Sequence, residues 1–293
     1  MPTISHRAQI LPQSPIRKLT PYAEKAAKEG KTIYHLNIGQ PDIKTPEIAV
    51  QAVKDFTPKV LEYTKSEGID SLREKVVEYY KKHDIKVNSN DIIITNGGSE
   101  ALTYVIATVA NADDEIIIPE PYYANYISFS EAFDAVCVPI TSSFDDNFAL
   151  PPIEEFEKKI TPKTKAFLIC NPGNPTGYLY SKEEILQLAA IAKKYDIFLI
   201  FDEVYREFVY DGATHYSIMQ VEDIEQNAIM IDSVSKRFSM CGARIGWVVS
   251  KNKDVMMSVL NVRGHSIYLL WILIASWLAI SLELAFIVCI VSL

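Results

Sequence analysis

Three features of the 293-residue sequence predict an α/β fold, a mostly parallel sheet sandwiched by helices. Short runs rich in Ile, Val, Phe and Leu lack the polar alternation of half-exposed strands, which marks strands buried on both faces. From residue 91 these runs alternate with helical patterns, the order of a parallel sheet covered on both sides. Several runs end directly in polar clusters, and ligands of such sheets bind outside the carboxyl ends of the strands.

Taken in order, residues 1–20 carry Pro12 and Pro15, with Pro21 just beyond, and read as an arm lying on another surface. Thr20-Pro21 opens a helix that Gly30 stops. A short strand is expected over 32–38, then the turn Gly39-Gln40-Pro41-Asp42. Thr45-Pro46-Glu47 starts a second helix in the same manner. The loop 61–69 carries Tyr63, and a helix over 71–83 places Leu72, Val76, Val77 and Tyr80 at helical spacing. Strand 91–95, turn 96–100 and helix 101–110 follow. Next come strand 115–118, helix 126–132, strand 135–140, a polar helix over 151–160, strand 165–170 and the stiff loop 171–177. Ser181, with Glu184 three residues on, caps a helix over 182–195. Strands 197–201, 228–232 and 244–249 complete the pattern.

A net charge of −8 argues against nucleic acid as the main partner, because phosphate backbones need a basic face. A small anion in a local pocket remains compatible. The 4 cysteines are scattered and the 5 histidines lack metal-ligand spacing, so a reducing, cytoplasmic setting without a structural metal is expected. Residues 1–13 have no apolar core of a secretory signal. From Ser266 to Leu293 the only formal charge is Glu283, and the run 267–282 is long enough to span a bilayer.

The strand ends carry the chemistry. Asn96-Gly97-Gly98-Ser99-Glu100 sets two glycines and a serine at a helix N-terminus, where backbone N–H groups and the dipole favour an anion. It is neither a Walker loop nor GxGxxG, so a nucleotide is not indicated. It falls one residue short of a nucleophile elbow, which keeps a serine hydrolase acting through Ser99 as a competing reading, beside an ordinary tight turn. Asn174, between Gly173 and Pro175, offers an amide or simply serves the turn. Asp202 follows a run of five apolar residues. Buried alone it takes up a proton, whereas beside a protonated ring nitrogen it stays ionised; helix capping is its plain alternative. Tyr205 lies three residues on. Lys236 follows the apolar run 228–231, with Ser233 and Ser235 beside it and Arg244 eight residues on. A lysine there can shed its charge and bond an aldehyde as a Schiff base, and an arginine with serines can hold a phosphate. Taken singly, such a lysine also suits a solvated surface.

Three motifs stand in order: Asn-Pro-x-Asn-Pro-Thr-Gly at 171–177, Asp-Glu-Val-Tyr at 202–205, and Ser-x-Ser-Lys-x-Phe-x-x-x-Gly-x-Arg-x-Gly at 233–246. With them, roughly residues 16–260 resemble the class I and II aminotransferases, fold-type I enzymes of pyridoxal 5'-phosphate. The resemblance implies that Lys236, Asp202 and Tyr205 are catalytic. Lys236 would hold the cofactor aldehyde and move the proton at the substrate Cα, while Asp202 would face the pyridinium nitrogen. Asn174 and Tyr205 would bond the ring oxygen, and Tyr123 would stack on the ring. Gly98, Ser99, Ser233 and Arg244 would bind the phosphate, joined by Tyr63 from the neighbouring subunit of a homodimer. Gly39 and Asn174 would border the substrate. The reaction implied moves an amino group between an amino acid and a 2-oxo acid. A lyase or decarboxylase on the same fold, or a non-catalytic cofactor-binding remnant, is the alternative.

Family members close a small domain from both chain ends and supply a late arginine for the substrate carboxylate, whereas no arginine follows Arg263 here. The expected division is therefore an N-terminal arm with part of a small domain (1–45), a cofactor-binding large domain (46–260) and a divergent apolar tail (261–293). The tail is compatible with a rearranged end on a truncated enzyme, with a membrane anchor through 266–293, or with a buried helix replacing part of the small domain. On the first reading the cofactor site is complete, the small domain is incomplete, and activity is in question.

Overall fold

The computed structural model describes residues 2–5, 8–9, 17–60 and 62–264. The apolar tail from 266, with its possible membrane anchor, lies outside them, as does much of the expected arm. Among the described residues no helix is long and apolar enough to cross a membrane.

A seven-stranded sheet forms the centre: β1 (Ile92–Thr95), β2 (Glu115–Glu120), β3 (Val136–Thr141), β4 (Thr164–Cys170), β5 (Phe198–Asp202), β6 (Ala228–Ser233) and β7 (Gly246–Val249), in the order β1-β7-β6-β5-β4-β2-β3. Pairing is parallel except that β7 runs against both β6 and β1. Strands β1, β6 and β7 are buried along their whole length and β5 at all but its first residue, as their unbroken apolar runs require.

Helices cover both faces. On one lie α3 (Asp70–Lys81), α6 (Ile153–Lys159) and α7 (Lys182–Tyr195), which bury Leu72, Val76, Tyr80, Phe156, Ile185 and Leu188. On the other lie α4 (Gly97–Val109), α5 (Asn125–Glu131) and α8 (Lys253–Arg263), which bury Leu102, Val105, Ile106, Tyr126 and Val259. The cap expected on α7 is present: the Ser181 hydroxyl accepts from Glu184 N at 3.1 Å, and the Glu184 carboxylate accepts from Ser181 N at 2.7 Å. Helices α1 (Thr20–Lys28) and α2 (Glu47–Asp55) precede this layer. Neither starts on a side-chain cap. Thr45 instead donates to Ser239 O at 2.7 Å, tying the start of α2 to the chain after Lys236.

The strand expected over 32–38 does not form. Tyr34 and Leu36 are exposed, and an extended segment without a neighbouring strand gains no ladder. Helix α4 begins at Gly97, so the glycine turn is its first turn. The last strand begins at Gly246, leaving Arg244 in a left-handed conformation before it.

Gly246 sets how closely α4 approaches the sheet. A Cβ there would stand 2.5 Å from Gly97 C, 2.6 Å from Gly98 N and 2.9 Å from Asp232 O, all backbone atoms. Gly246→Ala is expected to cost about 3 kcal/mol, the overpacking range, whereas Gly242→Ala, with nothing within 4 Å of its added carbon, should stay within about 0.5 kcal/mol. Urea midpoints of the two variants check this, and equal midpoints would show that the contact is not tight.

Candidate active site

Register places the candidate residues in a row. Thr95 and Ser233 both pair with Gly246, and Asp202 pairs with Cys170 on one side and Ile231 on the other. The carboxyl ends of β1, β4, β5 and β6 are therefore level with the start of β7. Over them opens a cavity of about 650 Å³. Gly39, Gly98, Ser99, Tyr123, Asn174, Asp202, Tyr205, Ser233, Lys236 and Arg244 all line it.

Each is held by identifiable contacts. Asp202, 5% exposed, accepts from the Tyr126 hydroxyl at 2.8 Å and from Val204 N at 3.3 Å. Burial pushes its carboxyl up to about 6, against the Tyr126 bond, which lowers it. Asn174 donates to the Tyr205 hydroxyl at 3.2 Å, and burial raises that phenol as well. The loop carrying Asn174 is closed by Gly173 N to Tyr178 O at 2.8 Å, and the Asn171 side chain accepts from Tyr180 N at 3.1 Å. Lys236 Nζ donates to Gly39 O at 2.6 Å and sits 5.7 Å from the Tyr205 ring centre. The irregular segment around Gly39 thus borders the cavity at the lysine.

At the other end Arg244 donates to Asn96 O at 3.1 Å, and its guanidinium occupies the space where a Cβ on Gly97 would stand. Gly97, at φ +79°, lets the arginine lie against the first turn of α4. The Ser233 hydroxyl accepts from Ser235 N at 3.3 Å. Tyr123 accepts from the Asn125 amide at 2.7 Å.

Tyr63 is not brought into this cavity. It is 79% exposed and lines a separate hollow with Glu62, Thr64, Lys65 and Asp70. The chain just after it is anchored: Arg263 donates to Ser66 O and to Ile94 O at 2.8 Å, and Ile94 N donates to Glu67 O at 2.9 Å. Tyr126 is the residue that the sequence reading missed. Its signal was a tyrosine opening a buried helix, since a buried phenol must find a partner. Among the described residues no histidine lines the cavity to serve Ser99 as a base.

The family pattern described as "Aminotransferase class I and II" matches residues 31–280. The chain belongs to the class I and II aminotransferases. That match runs past residue 260, where the resemblance was expected to end. An aspartate aminotransferase of Bacillus sp. (strain YM-2) is 32% identical over 266 residues, 90% of this chain and 67% of its own length. Aromatic-amino-acid aminotransferase 2 of Thermococcus litoralis is 35% identical over 257 residues, 85% of this chain and 65% of its own. The chain thus spans about two thirds of the length of these curated relatives. Among solved structures, Thermus thermophilus aspartate aminotransferase with maleate superposes with a TM-score of 0.89 at 27% identity, covering 98% of this chain and 75% of that one. The sheet and its helices are accordingly the fold of the pyridoxal-phosphate-dependent aminotransferases, and the family is one of enzymes using that cofactor.

Asp202 makes the cofactor-free chain pH-sensitive. Its proton is held more tightly folded (about 6) than unfolded (3.8), so stability falls as pH rises through that window. Above it the buried carboxylate costs roughly 3 kcal/mol. Asp202→Asn should therefore stabilise the cofactor-free chain by about that amount at pH 7.5, with the gain shrinking towards zero near pH 4. Denaturant unfolding at the two pH values measures it; a pH-independent gain would place the effect elsewhere than on the carboxylate.

Proposed function

We propose that the chain moves an amino group between an amino acid and a 2-oxo acid, with pyridoxal phosphate seated at the level strand ends. The observation that carries this reading is convergence: an amine, a buried carboxylate and a hydrogen-bonded amide–phenol pair line one cavity, with a guanidinium against a helix N-terminus at its edge. The residues fit the group. The buried Asp202 carboxylate has a hydroxyl donor but needs a cation to stay ionised at neutral pH, and a protonated ring nitrogen is one.

When bound, the cofactor supplies an aldehyde for amines and a ring that draws electrons from the substrate Cα. Lys236 Nζ would hold the cofactor and would serve as the general base and acid that moves the proton at the substrate Cα. Asp202 keeps the ring nitrogen charged, and Tyr126 orients that carboxylate. Tyr205 and Asn174 would hold the ring oxygen, and Tyr123 would hold the ring. Gly98, Ser99, Ser233 and Arg244 hold the phosphate by backbone N–H, hydroxyl and guanidinium groups. Gly39 O, which accepts from Lys236, keeps the amine inside and borders the substrate with Asn174. Residues 46–260 form the cofactor-binding domain, and 1–45 contribute an arm and part of a small domain. Tyr63, 79% exposed, would face a second copy in a homodimer and help hold that copy's phosphate.

The relatives named for aspartate and for aromatic amino acids are 32% and 35% identical, so likeness alone does not rank donors. Both classes belong in the first screen.

Borohydride reduction of the chain with pyridoxal phosphate is expected to fix a phosphopyridoxyl group on Lys236, mapped by mass spectrometry. Lys236→Ala should abolish that peptide and lower amino-group transfer at least 100-fold. A folded wild-type chain that fixes no cofactor at Lys236 would overturn the reading.

A further inference from the structure

The residues that line the cavity have immediate neighbours whose side chains meet elsewhere. Beside Asp202, Tyr205, Ser233 and Lys236 stand Glu203, Arg206, Asp232 and Arg237. These four are buried on the α3 face of the sheet, under the cavity floor. Arg206 pairs with Glu203 at 2.6 Å and lies 3.8 Å from Asp232. Arg237 pairs with Asp232. Asp232 also accepts from the Tyr80 hydroxyl at 2.9 Å, and Tyr80 accepts from Trp247 Nε1 at 2.5 Å. Glu203 accepts from the Ser217 hydroxyl and from Ile218 N, both at 3.0 Å. The two guanidinium groups lie against aromatic rings, Arg237 at 4.4 Å from the Tyr79 ring centre and Arg206 at 4.8 Å from that of Tyr80. Glu207 stands 4.0 Å from Arg237 at the half-buried rim.

Lys236 and Tyr205 sit in irregular turns, not in strands, so no ladder fixes them. A buried ion pair is weak support for stability, because desolvation offsets much of the attraction. A guanidinium hydrogen-bonded through Nη2 to a buried carboxylate and stacked on a ring does, however, restrict the direction of the turn that carries it.

We propose that Arg237 and Arg206 are positioning residues: anchored on Asp232 and Glu203, they hold the turns that aim Lys236 Nζ and the Tyr205 hydroxyl into the cavity. This rests on the proposed role of Lys236. Releasing the anchor leaves the amine attached but misdirected, and a displacement of about 1 Å costs up to 100-fold in rate.

The test measures the rate at which pyridoxal phosphate is fixed on Lys236, as a function of cofactor concentration, well below the melting temperature. Arg237→Met alone strands a buried carboxylate, so the variants are the neutral pair Asp232→Asn with Arg237→Met and the charge-preserving Arg237→Lys. Circular dichroism confirms folding. Expected for the pair is a limiting rate lowered 10-fold or more, with the half-saturating concentration changed less than threefold, and for Arg237→Lys a partial recovery. A folded neutral pair that matches the wild-type limiting rate overturns the proposal, with or without a lowered melting temperature, as does an Arg237→Lys variant no faster than the pair. A wild-type chain that fixes nothing on Lys236 overturns the role of that lysine instead.

Discussion

Successive residues of an extended chain face opposite sides of a sheet, and this alternation organises the molecule around its strand ends. At the end of β5, Asp202 turns towards Tyr126 on one face while Glu203 turns towards Arg206 on the other. At the end of β6, Ser233 lines the cavity while Asp232 pairs with Arg237 behind it. A one-residue slip of β6 would exchange the two sets, placing an unneeded charge in the cavity and a neutral hydroxyl in the ionic cluster. The buried cluster therefore specifies register as well as direction. Six parallel strands slide more easily than hairpins do, and here the cost of stranding two carboxylates opposes any slide.

The site carries an electrostatic tension that the fold does not relieve by itself. Asp202 is buried among Tyr126, Cys170 and apolar residues, and burial raises its carboxyl and the Cys170 thiol alike. Two carboxylates on the other face have arginines to offset their burial, but Asp202 has a phenol and a backbone N–H. A cation arriving in the cavity would find a carboxylate already oriented and short of a partner. Binding then recovers free energy that folding gave up, which favours a charged ring over a neutral one without any further contact.

The sequence displayed the sheet and the cavity residues because both are local signals. Apolar runs mark strands buried on two faces, and the Asn174, Asp202 and Lys236 clusters follow them directly. What it did not display depends on long-range pairing. The reversed direction of β7 leaves no mark in four apolar residues, since a fully buried strand reads alike either way. Residues 32–38 carry a strand-like composition but pair with no strand of the sheet, and Gly39, which follows them, accepts from Lys236. Tyr126 was legible as a helix residue and not as the donor to Asp202, because that contact spans 76 positions. The same holds for Arg237, whose meaning comes from Tyr79 and Asp232 and not from its place beside Lys236.

Tyr63 shows how far one chain takes the site. The chain just after it is anchored: Arg263 at the end of α8 binds two carbonyls, that of Ser66 and one in β1, and Gly68 packs where a Cβ would strike Ile94. The tyrosine itself meets no part of the cavity of its own chain. An exposed aromatic hydroxyl beside an anchored segment is suited to contact something outside its own chain, because less ordering is then needed on contact. In the homodimer proposed above the loop would present a donor to the neighbour's phosphate. The two cavities would thereby depend on assembly for one hydrogen bond each, while Lys236, Asp202 and their buried anchors remain internal to each chain.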